Sequence, residues 1–194
     1  NIMQFRKCSI AGVIYGKGDS EIVRQARKNR GEDEASTSSP KENSEDAVGP
    51  HAINEEHVNF DDERLWQIIN GGSGASSSSS AAAAASDPGV ANAVNEFMIL
   101  MAVCHTVIPD IDPNDSTKMI YQCSSPDEGA LVGAAKALGF EFTDRTPKSI
   151  TISVKGESLR YELLHTIEFN GARKRMSVIV RSPEGRLILY CKGA

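Results

Sequence analysis

The residue types best suited to chemistry lie late in the chain. Around Asn170-Gly171 the alternation of a two-residue hairpin predicts that Phe169 pairs with Ala172, so that Phe169, Lys174 and Met176 share one face. An aromatic ring, a cation and a flexible thioether on one surface would suit a purine and a phosphate. They would equally suit a mixed sheet face with a snorkelling lysine, and periodicity alone favours that plainer reading. Cys191-Lys192-Gly193-Ala194 then closes a strand with a lysine followed by a glycine, where another backbone or a ligand can approach closely. From His165 to Ala194 there are six basic and two acidic residues, a balance that suits an anionic ligand or simply a solvated sheet. The chain contains no G-x-x-x-x-G-K-[ST], G-x-G-x-x-G or G-x-S-x-G motif, so any nucleotide is held without a phosphate-cradling loop. The aromatics Phe140, Phe142, Phe169 and Tyr190 are not interleaved with cations as in a stacking platform, which argues against nucleic acid.

The elements that must position these residues follow from local signals. Ser125-Pro126-Asp127-Glu128 offers an N-cap, a proline at the first helical position, two acids in the first turn and a capping box between Ser125 and Glu128. Ala130, Leu131, Ala134, Ala135 and Leu138 give this helix its apolar side, and Gly139 ends it. Another helix is expected over 88–105, with Val94, Phe97, Met98, Met101 and Ala102 at helical spacing. Strands are expected over 119–123, 141–143, 149–154, 158–169, 174–181 and 186–192, joined by the turns Lys155-Gly156, Asn170-Gly171 and Ser182-Pro183-Glu184-Gly185. Short sequential connections imply an antiparallel meander, and the fold class is α+β with helices on one side of the sheet.

The first half reads differently. Residues 4–15 form an edge strand or a hairpin arm, and 19–30 a short charged helix. The chain has 194 residues and a net charge of −5, yet Glu32 to Glu63 holds eleven acids against Lys41 alone, so the remainder is mildly basic. Residues 31–59 read as a polar linker, and 73–86 contain only Ser, Ala and Gly, from which no core can be built. Phe60, Leu65, Trp66, Ile68 and Ile69 form an apolar patch read first as a short helix docking on the domain.

Cys8, Cys104, Cys123 and Cys191 show no C-x-x-C pair, and His51, His57, His105 and His165 no ligand spacing, so each histidine reads as solvated or internally satisfied. The longest apolar run, 97–108, falls short of the ~20 residues of a membrane span, and no signal peptide opens the chain. The expectation is a soluble piece in a reducing, cytosolic setting.

Four strings bring these readings together. They are Asn1-Ile2-Met3-Gln4-Phe5; Ser124-Ser125-Pro126-Asp127-Glu128-Gly129-Ala130-Leu131-Val132; Glu168-Phe169 followed by Ala172-Arg173-Lys174-Arg175-Met176-Ser177-Val178; and Cys191-Lys192-Gly193-Ala194. In this order they resemble the nucleotide-binding domain of type IV P-type ATPases, the phospholipid flippases, over residues 1–15 and 96–194. The resemblance implies a twisted antiparallel sheet with flanking helices. It implies a division into 1–15, a largely disordered variable insertion 16–95, and a main body 96–194. It also implies a site in which Phe169 stacks on adenine, Lys192 lines the inner end of the pocket and Glu128 bonds near the adenine amino group. Lys174, Met176 and Asp127 complete the implied ATP-binding set.

The ligand implied is ATP, with Mg2+ in the intact enzyme. The partners implied are the phosphorylation and actuator domains of the same chain, an accessory transmembrane subunit, and a phospholipid met only through membrane helices absent from these residues. The implied place is the cytosolic face of a plasma, Golgi or endosomal membrane. The family's phosphorylated aspartate should precede Asn1, so this stretch alone is expected to be inactive. The competing expectation is a non-catalytic interaction module that recruits partners through the acidic linker and the Trp66 patch.

Overall fold

The computed structural model describes residues 3–16, 49–71, 87–113 and 115–194, without the side chains of 115–118. The expected helix over 19–30 and the Ser/Ala-rich stretch lie outside the described residues. Eleven strands and three helices are described. A hairpin comes first, β1 (Cys8–Ile10) and β2 (Val13–Tyr15), followed by a second, β3 (Ile53–Glu55) and β4 (Val58–Phe60), and a short helix α1 (Glu63–Ile69). Helix α2 (Pro88–Val103) leads into the hairpin β5 (Ile108–Asp112) and β6 (Asp115–Gln122), then helix α3 (Pro126–Ala137). The chain ends in β7 (Phe140–Thr146), β8 (Ser149–Val154), β9 (Glu157–Asn170), β10 (Arg175–Arg181) and β11 (Leu187–Gly193).

Those last five strands form one antiparallel meander in chain order, as the short connections require. The β8–β9 turn shows why. Lys155 and Gly156 both adopt positive φ, 52° and 88°, giving the two-residue turn whose twist matches the strands. Inward-facing Phe140, Phe142, Ile150, Ile152, Tyr161, Val178, Val180 and Tyr190 are buried, and α2 and α3 pack with them into one core. This is the expected α+β arrangement.

Two expectations need correction. Residues 49–71, read as part of a linker and variable insertion, are folded into the core. Val58, Phe60 and Leu65 are 0–1% exposed, and Phe5 pairs with Val58 in a parallel bridge. An acidic stretch can hide such a hairpin because its few apolar residues all point one way. Two of its acids are themselves buried, and one of them has a structural task. Asp62 caps α1 through the Arg64 N–H at 3.0 Å and also accepts Gly16 N–H at 2.9 Å, tying β2 to the helix.

Trp66 is as first read, on a short helix docked on its own domain. It is half-buried and donates its indole N–H to the His51 carbonyl at 3.2 Å, while Leu65, Ile68 and Ile69 are buried, so this patch is packed against its own domain.

The second correction concerns the Asn170-Gly171 turn. Asn170 pairs with Arg175, not Phe169 with Ala172, and residues 171–174 form a four-residue loop. The Asn170 side chain accepts the Arg173 N–H and its carbonyl the Lys174 N–H, both at 2.8 Å. That local bonding outcompetes the tighter turn.

His105 sits where α2 ends. It is fully buried, edge-on to Phe142 at 4.4 Å. Its Nε2 donates to the Ala102 carbonyl at 2.9 Å and its Nδ1 accepts the Val107 N–H at 3.2 Å, which defines a neutral ring. Burial pushes its pKa down to about 3. Unfolded, the same ring takes up a proton below about 6.5. Stability present above that value is therefore lost as pH falls toward 3, by up to about 1.4 kcal/mol per pH unit. Urea unfolding between about pH 7 and pH 5 should show this slope before any carboxylate titrates. His105→Gln should be less stable at neutral pH and lose less across that interval; an unchanged slope would refute the assignment.

Candidate functional site

Glu128 occupies the first turn of α3, and the proline-led helix start delivers it inward. Ser125 takes the N-cap position but makes no side-chain cap bond, so the expected capping box is not formed. Glu128 is committed elsewhere. Its Oε1 lies 2.8 Å from Lys192 Nζ, and its Oε2 accepts both the Thr106 hydroxyl at 2.8 Å and the Thr106 N–H at 3.2 Å. Both charged side chains are nearly out of solvent, 16% exposed for Lys192 and 11% for Glu128. Burial alone would raise the Glu128 pKa, but the Lys192 ammonium and then the Thr106 donors overcome it and hold the carboxyl below its ordinary range.

Lys192 reaches this carboxylate because it stands on the inner face of β11, directly opposite Met176 on β10, which is buried. The next strand brings Phe169. The register steps from Arg175–Asn170 to Ser177–Ile167, so Glu168 and Phe169 together oppose Met176 in a β-bulge. Phe169, Met176 and Lys192 thus occupy neighbouring places on three adjacent strands, within roughly 10 Å at the usual strand spacing. Phe169 is 63% exposed, an unusual position for a phenylalanine at a strand end.

The remaining expected residues are placed less centrally. Lys174 lies in the loop at φ +51° rather than on the strand, so it does not share a strand face with Met176. It borders the site through its backbone, since its carbonyl accepts the Ala194 N–H at 3.1 Å. Asp127 is exposed in the first turn of α3, beside Glu128 but outside the Glu128–Lys192–Thr106 cluster.

Thr106 escaped the sequence reading. Its only signal was a polar pair, His105-Thr106, ending an apolar run between a helix and Pro109. The adjacent Cys104 is buried, and burial pushes its thiol up to about 11, so it is inert packing rather than a nucleophile. Among the described residues no group of three His, Cys, Asp or Glu side chains is placed to hold a metal ion.

Fold and site together describe an α+β domain with a nearly buried polar cluster at one end of its sheet. Residues 93–194 match the family model described as P-type ATPase, cytoplasmic domain N, and the chain belongs to the P-type ATPase family. It is 40% identical over 200 residues to Probable phospholipid-transporting ATPase 12 of Arabidopsis thaliana, and 40% identical over 194 residues to Probable phospholipid-transporting ATPase IM of Homo sapiens. It is 38% identical over 194 residues to Phospholipid-transporting ATPase IC of Xenopus tropicalis. Each alignment takes in 100% of this chain but only 13–15% of the relative. The likeness therefore includes residues 16–95, which the sequence reading had left unmatched. Among the described residues no helix is long and apolar enough to cross a membrane.

Two expectations follow from the geometry. Thr106→Val keeps the N–H and removes the hydroxyl, so the Glu128 carboxyl should titrate higher, whereas Thr106→Ser should restore it; carboxyl carbon NMR shifts report both. Lys192→Met should cost about 3 kcal/mol in urea unfolding, because it strands a buried carboxylate. Separately, a Cβ at Gly193 would lie 2.5 Å from the Lys174 carbonyl and 2.5 Å from Arg175 Cβ. Gly193→Ala should therefore lose about 1–3 kcal/mol and raise hydrogen exchange in loop 171–174. A thermal melt matching the parent would show that this close approach is dispensable.

Proposed function

We propose that this chain is the ATP-binding domain of a phospholipid-transporting P-type ATPase, and that it presents the γ-phosphate to an aspartate outside these residues. The observation that carries the reading is the exposed Phe169 ring on the strand two away from Lys192, whose ammonium is held by Glu128. The ring supplies a stacking surface for adenine. Glu128 and Lys192 offer an acceptor and a donor at the pocket's inner end, where an adenine edge with both an amino group and a ring nitrogen could be read. Met176 lines the floor between them. Lys174 and Arg175, at the loop, place positive charge toward the phosphates. Residues 3–16, 49–71, 87–113 and 115–194 act together as one nucleotide-holding body.

The chemistry assigned to this domain is positioning. In the whole enzyme, a carboxylate oxygen of the aspartate attacks the γ-phosphorus in line, the bond to the β–γ bridging oxygen breaks, and ADP leaves. Mg2+ would neutralise phosphate charge in that step. The described residues offer it no ligand cluster, so no step is assigned to the ion here. Translocation of a phospholipid, any accessory subunit and the choice of membrane belong to the rest of the protein, on the model of the relatives' names.

Stacking on one aromatic contributes about 1–3 kcal/mol, and a few polar contacts bring the total near the about 4 kcal/mol of a millimolar dissociation constant. Such modest affinity suits a domain that must release ADP. Titration with ATP should shift amide signals of Phe169, Met176 and Lys192, and Phe169→Ala should weaken binding about 5- to 100-fold. No saturable change at millimolar ATP in the well-folded chain would refute the reading.

A further inference from the structure

The opposite end of the sheet carries a second polar constellation that nucleotide binding does not use. Thr146, Ser149, Glu162 and Arg181 pair in sequence across β7, β8, β9 and β10 and so form one row. Their strand neighbours Ile150, Tyr161 and Val180 point into the core, which puts the row on the outer face. Arg160, two residues before Glu162, shares that face. Ser149, Arg160, Glu162 and Arg181, with Lys148, Ser182 and Pro183, line a solvent-open cleft of about 270 Å3. Arg175 and Arg181 mark the two ends of β10, so the cleft lies roughly 20 Å along the strand from the Lys174 loop, and on the other face from Met176.

The cleft is built and charged in one sense. Lys148, Arg160 and Arg181 face a single lining acid, Glu162, which lies 3.3 Å from Arg181 Nε, so three cations stand against one carboxylate. Its floor is hydroxyl-rich. Ser149 is 2% exposed, accepts from Arg160 Nη2 at 3.3 Å and bonds Thr146 Oγ1 at 2.8 Å. Ser182 is 5% exposed, and its Oγ accepts the Arg186 N–H at 3.3 Å. The rim is tied down by the Leu163 N–H to the Lys148 carbonyl at 2.8 Å and the Ser182 N–H to the Arg186 carbonyl at 2.9 Å. Glu184 at the turn interacts with Ser182 and Arg186, outside the lining.

We propose that this cleft is a phosphomonoester site that takes the phosphorylated serine or threonine side chain of a peptide. Two guanidinium forks match the oxygens of a phosphate dianion, Lys148 adds a point charge, and the rigid rim lowers the entropy cost of closing around it. The volume sits below the range of clefts that enclose whole cofactors, which fits a side-chain-sized group. The open rim lets a peptide chain leave on both sides. The proposal does not depend on ATP binding at the other end.

The test is an amide NMR titration of the chain with a short neutral peptide carrying one phosphoserine, with the same peptide unphosphorylated, and with inorganic phosphate. The phosphopeptide should give saturable shifts at residues 148–149, 160–162 and 181–186, and the unphosphorylated peptide none. Arg160→Gln with Arg181→Gln should weaken binding about tenfold or more, while Lys7→Gln on the first hairpin should leave it unchanged. Equal response to both peptides, shifts centred on Lys174 and Lys192, or no saturation in the millimolar range would overturn it. Saturation by inorganic phosphate with the cleft silent to phosphopeptide would overturn the peptide assignment.

Discussion

One carboxylate joins the three parts of the domain. Glu128 on α3 spends one oxygen on Lys192, which comes from the last strand, and the other on Thr106, which follows α2. Helix, sheet edge and inter-helix segment therefore meet at a single charged group. Remove the ammonium and a carboxylate is stranded out of water; remove the carboxylate and a lysine is stranded instead. The pocket's inner end is consequently stiff, and its polarity is set before any ligand arrives. The Met176 side chain beneath the pair has no room to drift, being 3% exposed between two strands.

The outer lip of the pocket is arranged on the opposite plan. Phe169 and Lys174 are exposed, and the loop between them is held by backbone and Asn170 side-chain bonds rather than by packing. Gly193 draws the end of β11 against this loop, so lip and floor are coupled through main chain. Under the proposed function, a rigid polar floor with an adaptable aromatic lip would orient a flat ligand without gripping it. That combination suits repeated binding and release.

Much of this was legible before the fold was known. Strand alternation and turn residues placed the meander, and β8 was located at its observed bounds, because each strand had a buried and a solvated side. Glu128 and Lys192 could be named, but not their contact: a helix start and a strand end 64 positions apart carry no local sign of meeting. Thr106 was invisible for the same reason. The capping box was legible and misleading, since a glutamate three residues after a serine serves the cap only when nothing stronger competes, and an ammonium and two donors did. The Asn-Gly signal failed similarly, because the asparagine side chain had its own partner. Residues 49–71 are hard to read because acidic composition averages over a stretch whose apolar residues are few but mostly buried, with Ile53 and Trp66 partly so.

The pair at the centre is poorly explained by stability. Desolvating two charges costs about as much as their attraction returns, and a well-packed apolar pair of similar volume would serve the core equally or better. Its surroundings are largely apolar, since Cys104, Val107, Met176 and Tyr190 belong to the same buried core, with Arg145 the further charge that Glu128 feels. An ion pair in such a place, fixed by two further hydrogen bonds with an aromatic left exposed two strands away, is the pattern expected where recognition rather than core stability sets the residues, in line with the proposed function. The same reasoning separates Glu128 from Asp62. Asp62 also sits buried against a cation, Arg64, but it caps a helix and closes on Gly16, so its charge is consumed by the fold. Glu128 instead caps nothing, and its oxygens go to Lys192 and to Thr106 at the end of the sheet where Phe169 is exposed.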